Sequence, residues 1–216
     1  VDNTFMSPYG QRPLEYGVDV VMQSSTKSLS GHSDILGGVL TTNNDELGER
    51  IRFMLKATGG VPSPFDNWIL LRSVKTLSLR YQKSSENAFK LAQWLSNEYD
   101  LNRVIYPGLK SHPQFEIAIK QQFSPDGINV VGNMISIDVE KINLRDKFLD
   151  KLKVITLAES LGGVESLCCV PYDMTHAAVP VENKIKMGIT ETLIRLSIGI
   201  EDFEDLKDDL QNALAK

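Results

Sequence analysis

The sequence predicts an α/β fold, and three observations support that reading. Short runs rich in β-branched residues recur along the chain, as strands do. Between them, apolar residues return at three- and four-residue intervals, the spacing of a helix face. Glycine and hydroxyl-bearing residues punctuate the joins, most densely after the first run.

Val18, Val20 and Val21 mark a first strand with Asp19 inside it, followed by the polar segment Gln23-Ser24-Ser25-Thr26-Lys27-Ser28. Gly31-His32-Ser33-Asp34 then leads to a second strand, Ile35 to Thr41. Its Gly37 and Gly38 signal the close approach of another backbone or a ligand. Asn44 or Asp45 caps a helix that runs to Lys56. Gly59 to Pro64 is a loop by composition. Leu70, Val74, Leu77 and Tyr81, continued by Ala88, Leu91, Ala92 and Leu95, predict one long helical stretch. A stretch of that length can bridge two domains, and the boundary is placed near Leu79. Beyond it, strands are predicted at Arg103 to Tyr106, Asn133 to Val139, Val154 to Leu157, Val164 to Val170 and Leu193 to Ile200. Helices are predicted at Pro113 to Gln122, Leu144 to Leu152 and Phe203 to Leu214. In the last, Leu206, Leu210, Ala213 and Leu214 form an apolar stripe, and Glu201, Asp202, Glu204 and Asp205 favour its positive end.

Composition narrows the function classes. With 216 residues, 42% of them hydrophobic, and a formal charge of −5, the chain can build a real core and is not disordered. No run approaches the ~18 consecutive apolar residues of a membrane span, so no membrane partner is expected. The mild acidity lacks the basic face of a nucleic-acid protein. The two cysteines, Cys168 and Cys169, are adjacent and cannot staple a fold. They read as small strand residues pointing to opposite faces, in a reducing, cytoplasmic compartment. His32, His112 and His176 lack metal-ligand spacing, so no metal is expected. The chain opens on V-D-N-T-F without an initiator methionine or a targeting segment, which reads as a piece of a longer chain.

The densest polar cluster is Ser24-Ser25-Thr26-Lys27 at a strand end, where function concentrates. Its hydroxyls and amides can hold a phosphate, and its lysine can anchor an anion or attack a carbonyl. The same pattern also fits a solvated polar loop. The glycines of a P-loop or a dinucleotide fingerprint are absent. Asp2 adds to Lys27, because pyridoxal 5'-phosphate (PLP) needs a lysine and an acid facing its ring nitrogen; as a turn residue, Asp2 needs no such partner. Arg195 shares one strand face with Ser197, opposite Ile194, Leu196 and Ile198. It suits a bidentate grip on a carboxylate or a structural ion pair.

Seven phrases then occur in order: V-D-N-T-F at 1–5, S-S-T-K at 24–27, G-H-S-D at 31–34, P-S-P-F-D-N-W at 62–68, L-A-E-S-L-G-G-V-E-S-L at 157–167, M-T-H at 174–176 and L-I-R-L-S-I-G-I-E-D at 193–202. Together they closely resemble the Cys/Met-metabolism PLP-dependent enzymes, a family of cystathionine γ-synthases, γ-lyases and β-lyases and methionine γ-lyases. The resemblance implies the type I aminotransferase-like PLP-dependent fold. Residues 1–78 would end the large PLP-binding domain, and 79–216 would form the small C-terminal α/β domain. It implies Lys27 as the covalent anchor of the cofactor and as the catalytic group, Asp2 at the ring nitrogen, and Ser24 and Thr26 at the phosphate. Arg195 would grip the substrate carboxylate beside Ser160, with Glu159 near the far end of the substrate. The substrate would be a small amino acid, and the assembly a homotetramer with shared sites. The glycine-rich phosphate loop and ring-stacking tyrosine that such enzymes carry further N-terminal are not in this sequence. Ser28 departs from the pattern, which usually has an aromatic residue there, and this bears on the packing around Lys27. The resemblance favours γ-chemistry on cystathionine, with β-lyase first among the alternatives and methionine γ-lyase after it. A different class of reading is an inactive fragment that serves as a binding or assembly module; a third is the effector domain of a transcription regulator, which lacks support from any basic DNA-binding segment.

Overall fold

Residues 1–99, 101 and 103–215 are described by this computed structural model. The chain begins beside its first strand. Val1–Asn3 runs parallel to β1 (Val21–Ser24), with Met22 N donating to Val1 O at 2.8 Å and Asn3 N to Met22 O at 2.9 Å. A four-residue helix, α1 (Ser7–Gly10), and a 3-10 turn at Pro13–Tyr16 fill the connection. Both are too short to leave a periodic signal.

β1 pairs antiparallel with β2 (Gly38–Thr41) in a two-stranded sheet. Both strands are shifted from the expected ranges. Val18–Val20 lie outside β1, which takes in Gln23 and Ser24. Ile35–Gly37 lie outside β2, because Gly37 turns its backbone to the lysine loop. It accepts from Ser25 N at 2.9 Å and donates to Thr26 Oγ1 at 3.0 Å. A Cβ on Gly37 would meet Ser25 Oγ at 2.7 Å, the close approach that the glycine signals. Next comes α2 (Asp45–Thr58), capped by the Asn44 side chain on Leu47 N.

The expected long helical stretch is two helices, α3 (Pro64–Ser73) and α4 (Leu77–Glu98), joined by a 3-10 turn at Val74–Thr76. A continuous helix would offer the Ser73 carbonyl to residue 77. That carbonyl instead accepts from Thr76 Oγ1 at 3.1 Å and from Arg80 Nη2 at 3.0 Å, and Leu77 N donates to Val74 O.

The remaining strands form a second sheet of order β3–β4–β7–β6–β5: β3 (Arg103–Ile105), β4 (Met134–Asp138), β5 (Thr156–Leu157), β6 (Leu167–Cys169) and β7 (Leu193–Ser197). All neighbours are antiparallel except β5 and β6. The strands are shorter than expected because their flanks bond elsewhere. Asp209 accepts from the amides of Lys153, Val154 and Ile155, and Val164 N donates to Gly31 O. The helices of this part are α5 (Phe115–Gln121), α6 (Ile142–Lys151), α7 (Val181–Lys186) and α8 (Phe203–Leu214). Of these, α7 is too short for its spacing to stand out.

Alternation sorts the two faces of the sheet. Ile135, Ile137, Cys168, Ile194 and Leu196 pack against Leu91 and Leu95 of α4, Phe148 of α6, and Leu206 and Leu210 of α8. The strand register puts Ser136, Arg195 and Cys169 in one row, out of phase with those core residues. That second face carries the site. Among the described residues, no helix is long and apolar enough to cross a membrane.

Candidate active site

Lys27 sits where β1 gives way to a π-helical turn, Ser25–Leu29. Within that turn its backbone leaves helical geometry, at φ −89° and ψ −132°. The side chain is half-buried, and Nζ donates to Ser160 Oγ at 3.0 Å. Ser160 lies between β5 and β6 with φ 137°, a conformation that costs a residue bearing a Cβ about 1–3 kcal/mol. Its carbonyl accepts from Arg195 Nη2 at 3.1 Å. One strained residue thus joins the amine to the guanidinium across 133 residues of sequence on one side and 35 on the other.

Glycine makes that junction possible. Gly162 has φ 75°, and a Cβ there would meet Ser28 N at 2.8 Å. The segment passes so close to the lysine loop only because nothing projects from it. Gly162 N also donates to Ser197 Oγ at 2.9 Å, which ties the segment to β7. The buried Ser28, where the family pattern has an aromatic ring, is the residue that this segment packs on.

The other expected residues surround this axis. Asp2 is exposed beside β1 in register with Met22, and its Oδ1 accepts from Thr4 N at 2.9 Å. Ser24 ends β1, its amide held by Thr4 Oγ1 at 2.9 Å. Thr26 Oγ1 bonds to the Gly37 backbone and borders a cleft of about 780 Å³ that Ser33, Asp34, Glu159, Ser160 and Glu165 also line. Glu159 is exposed at its rim. Arg195 is half-buried and forms no ion pair among the described residues, unlike the structural ion pair weighed from the sequence. It lies against Cys169, whose thiol burial pushes up, the Arg195 cation partly offsetting this and Glu159 adding to it. Cys168 points into the core, where burial raises it to about 12; both cysteines are free. His32 is exposed and contacts the Ser30 carbonyl. Among the described residues no His, Cys, Asp and Glu cluster could hold a metal ion.

Two contributors escape the sequence reading. Thr4 holds the Ser24 amide from within the V-D-N-T-F phrase. Arg80 holds the lysine loop, and its signal was a cation placed on the buried face of α4 with Leu77, Tyr81 and Ser84.

Comparisons with known proteins agree with this geometry. A family model described as Cys/Met metabolism PLP-dependent enzyme matches residues 1–215. The cystathionine gamma-lyase of Dictyostelium discoideum is 51% identical over 216 residues, covering 100% of this chain and 54% of that protein. A cystathionine beta-lyase of Lactococcus lactis is 47% identical over 216 residues, covering 100% of this chain and 55% of that protein. The solved cystathionine gamma synthase of Xanthomonas oryzae pv. oryzae in complex with cystathionine superposes with a TM-score of 0.93 at 43% identity, over 99% of this chain and 54% of that one. The chain therefore spans about half the length of the relatives it matches. A match along nearly every residue, with the lysine loop and the arginine strand meeting in space, means that the chain belongs to the Cys/Met metabolism PLP-dependent enzyme family.

Proposed function

We propose that the protein is a PLP-dependent enzyme of transsulfuration that acts on cystathionine or a related sulfur amino acid by γ-elimination or replacement. The observation that carries this reading is the Lys27–Ser160–Arg195 junction. An amine and a guanidinium, neither paired with a carboxylate among the described residues, converge on Ser160, which lines a cleft.

The residues present fit PLP. Lys27 Nζ has only a neutral hydroxyl partner, and Asp2 Oδ2 and the Ser24 hydroxyl have no hydrogen-bond partner among the described residues. Lys27 would carry the cofactor, Asp2 would face its ring nitrogen, and Ser24 and Thr26 would hold its phosphate. When bound, PLP supplies an electron sink for negative charge at the substrate α-carbon. Lys27 Nζ, when neutral, takes a proton from that carbon and returns it at a neighbouring atom. Ser160 Oγ keeps the amine in line. Arg195 grips the α-carboxylate and so holds the scissile bonds in register with the amine. Glu159, at the rim, faces the far end of the substrate.

Residues 1–78 and 79–216 are read as the end of a PLP-binding domain and a small C-terminal domain; the bend at Val74–Thr76 supports a boundary there. A homo-oligomer in the cytoplasm fits this reading. β-Elimination is the second reading, favoured by the 47% identity to a β-lyase.

Product analysis with cystathionine separates the two: 2-oxobutyrate is expected, and pyruvate would replace γ- by β-chemistry. Lys27→Ala should abolish turnover. Arg195→Ala should raise KM by about 10- to 100-fold, the worth of a charge-assisted pair. An unchanged KM and kcat in that variant would overturn the carboxylate role.

A further inference from the structure

We propose that Arg80 is a positioning residue for Lys27, acting through the backbone of the turn that presents the amine. This rests on the reading of Lys27 as the cofactor-bearing group. Arg80 is only 8% exposed and lies at the start of α4, 53 positions beyond Lys27 in a different element. Its Nη1 donates to Ser28 O at 2.8 Å, and its Nη2 to Leu29 O at 3.2 Å and Ser73 O at 3.0 Å. Nε donates to Thr76 Oγ1 at 3.1 Å.

All four acceptors are neutral, and Arg80 forms no ion pair among the described residues. Burying a guanidinium without a counter-charge is costly, and burial here draws its pKa below the ordinary arginine value. A neutral apolar side chain would fill the same space at lower cost but would leave two carbonyls of the lysine turn without these donors. The fold also makes room for the guanidinium. Gly31 has φ 70°, and a side chain there would run into Arg80 Nη1.

The turn is gripped from the opposite side as well. Gly162 packs on Ser28, and Val164 N donates to Gly31 O at 2.9 Å. Residues 28–31 are thus held between Arg80 and the segment that carries Ser160. Lys27 directly precedes them with its non-helical ψ of −132°. Releasing the Arg80 side lets that backbone relax and moves the amine relative to Ser160 Oγ. Arg195 and its strand stay in place, so chemistry suffers more than substrate binding. Misplacement by about 1 Å is enough to cost a reaction about 100-fold.

The test compares wild type, Arg80→Lys and Thr76→Val in the longest available form of the protein, loaded with PLP. Lysine keeps the charge but lacks the fork that reaches two carbonyls at once. Thr76→Val removes the acceptor that orients Nε, together with the hydroxyl's own bond to Ser73 O, and leaves the guanidinium in place, which keeps the test decisive if Arg80→Lys does not fold. Expected in Arg80→Lys are faster hydrogen exchange at the Ser30 and Gly31 amides, a shifted pH midpoint of the bound cofactor's absorbance, and kcat lowered about tenfold or more with KM within about twofold. Thr76→Val should move the same readouts less. A lowered Tm with wild-type exchange in the turn, wild-type absorbance profile and wild-type kcat would reduce Arg80 to structural support and overturn the proposal. If borohydride reduction places no pyridoxyl group on Lys27 in wild type, the reading of Lys27 fails first, and the role of Arg80 falls with it.

Discussion

The described residues of 79–215 close around a core, whereas residues 1–78 leave much of their apolar surface open. In the later part Leu91, Ile135, Ile194, Leu196 and Leu206 are fully buried in one cluster. In the earlier part α2 buries no residue, every residue of β2 is exposed, and Phe53, Phe65, Trp68 and Leu71 are 69%, 66%, 60% and 67% exposed. Both parts contain helices and a sheet. In this chain, which spans about half the length of its relatives, the later part holds a five-stranded sheet with helices laid on it, the two layers that a core needs, and the earlier part holds a two-stranded sheet. The site lies on the seam, with Lys27 from the open part and Ser160 and Arg195 from the closed one. The difference teaches how each half of the site is held. Arg195 sits on a strand packed into the core, while the turn that carries Lys27 is held by hydrogen bonds from Arg80, Gly37 and Val164.

The largest expected effect tests that contrast directly. Leu196→Ala should cost about 2–5 kcal/mol, because its cavity cannot collapse. Leu71→Ala should change stability by no more than about 0.5 kcal/mol. Urea unfolding of the two variants measures both, and equal losses would break the comparison.

A smaller, pH-dependent effect sharpens it. Burial raises the Asp138 carboxyl, but hydrogen bonds from Thr192, the Glu140 amide, Thr190 and Arg103 outweigh it, and the net shift is downward. A depressed folded pKa adds stability above the unfolded value of about 3.9, lost as pH falls through the folded one. Among the described residues, 1–78 hold no buried carboxylate, so this loss belongs to the closed part. Asp138→Asn should therefore lose less Tm than wild type between about pH 5 and pH 3. Parallel losses would remove Asp138 from the account.

Legibility follows the same divide. The final helix is read from the sequence with the bounds it has in the structure, Phe203–Leu214, because its stripe and the Asp202 cap are both local. The break between α3 and α4 is not legible, because Ser73 O is shared between the local Thr76 hydroxyl and Arg80, a side chain that also reaches the distant carbonyls of Ser28 and Leu29. The strands expected from Val164 and from Ile35 are shorter in the structure for a like reason: Val164 N bonds to Gly31 O and the Gly37 backbone bonds to the lysine loop rather than to a ladder. Lys27, Ser160 and Arg195 stand in phrases that mark them, and the structure brings them together. Arg80 has no such phrase, since its meaning depends on carbonyls 51 and 52 residues away.

The most direct test of the central claim is peptide mapping after incubation with PLP and borohydride reduction. It should be run on this chain and on the longest available form of the protein. The account predicts one pyridoxyl group, on the peptide that carries Lys27, and its loss in Lys27→Ala. No label in either form, or label scattered over surface lysines, would contradict it.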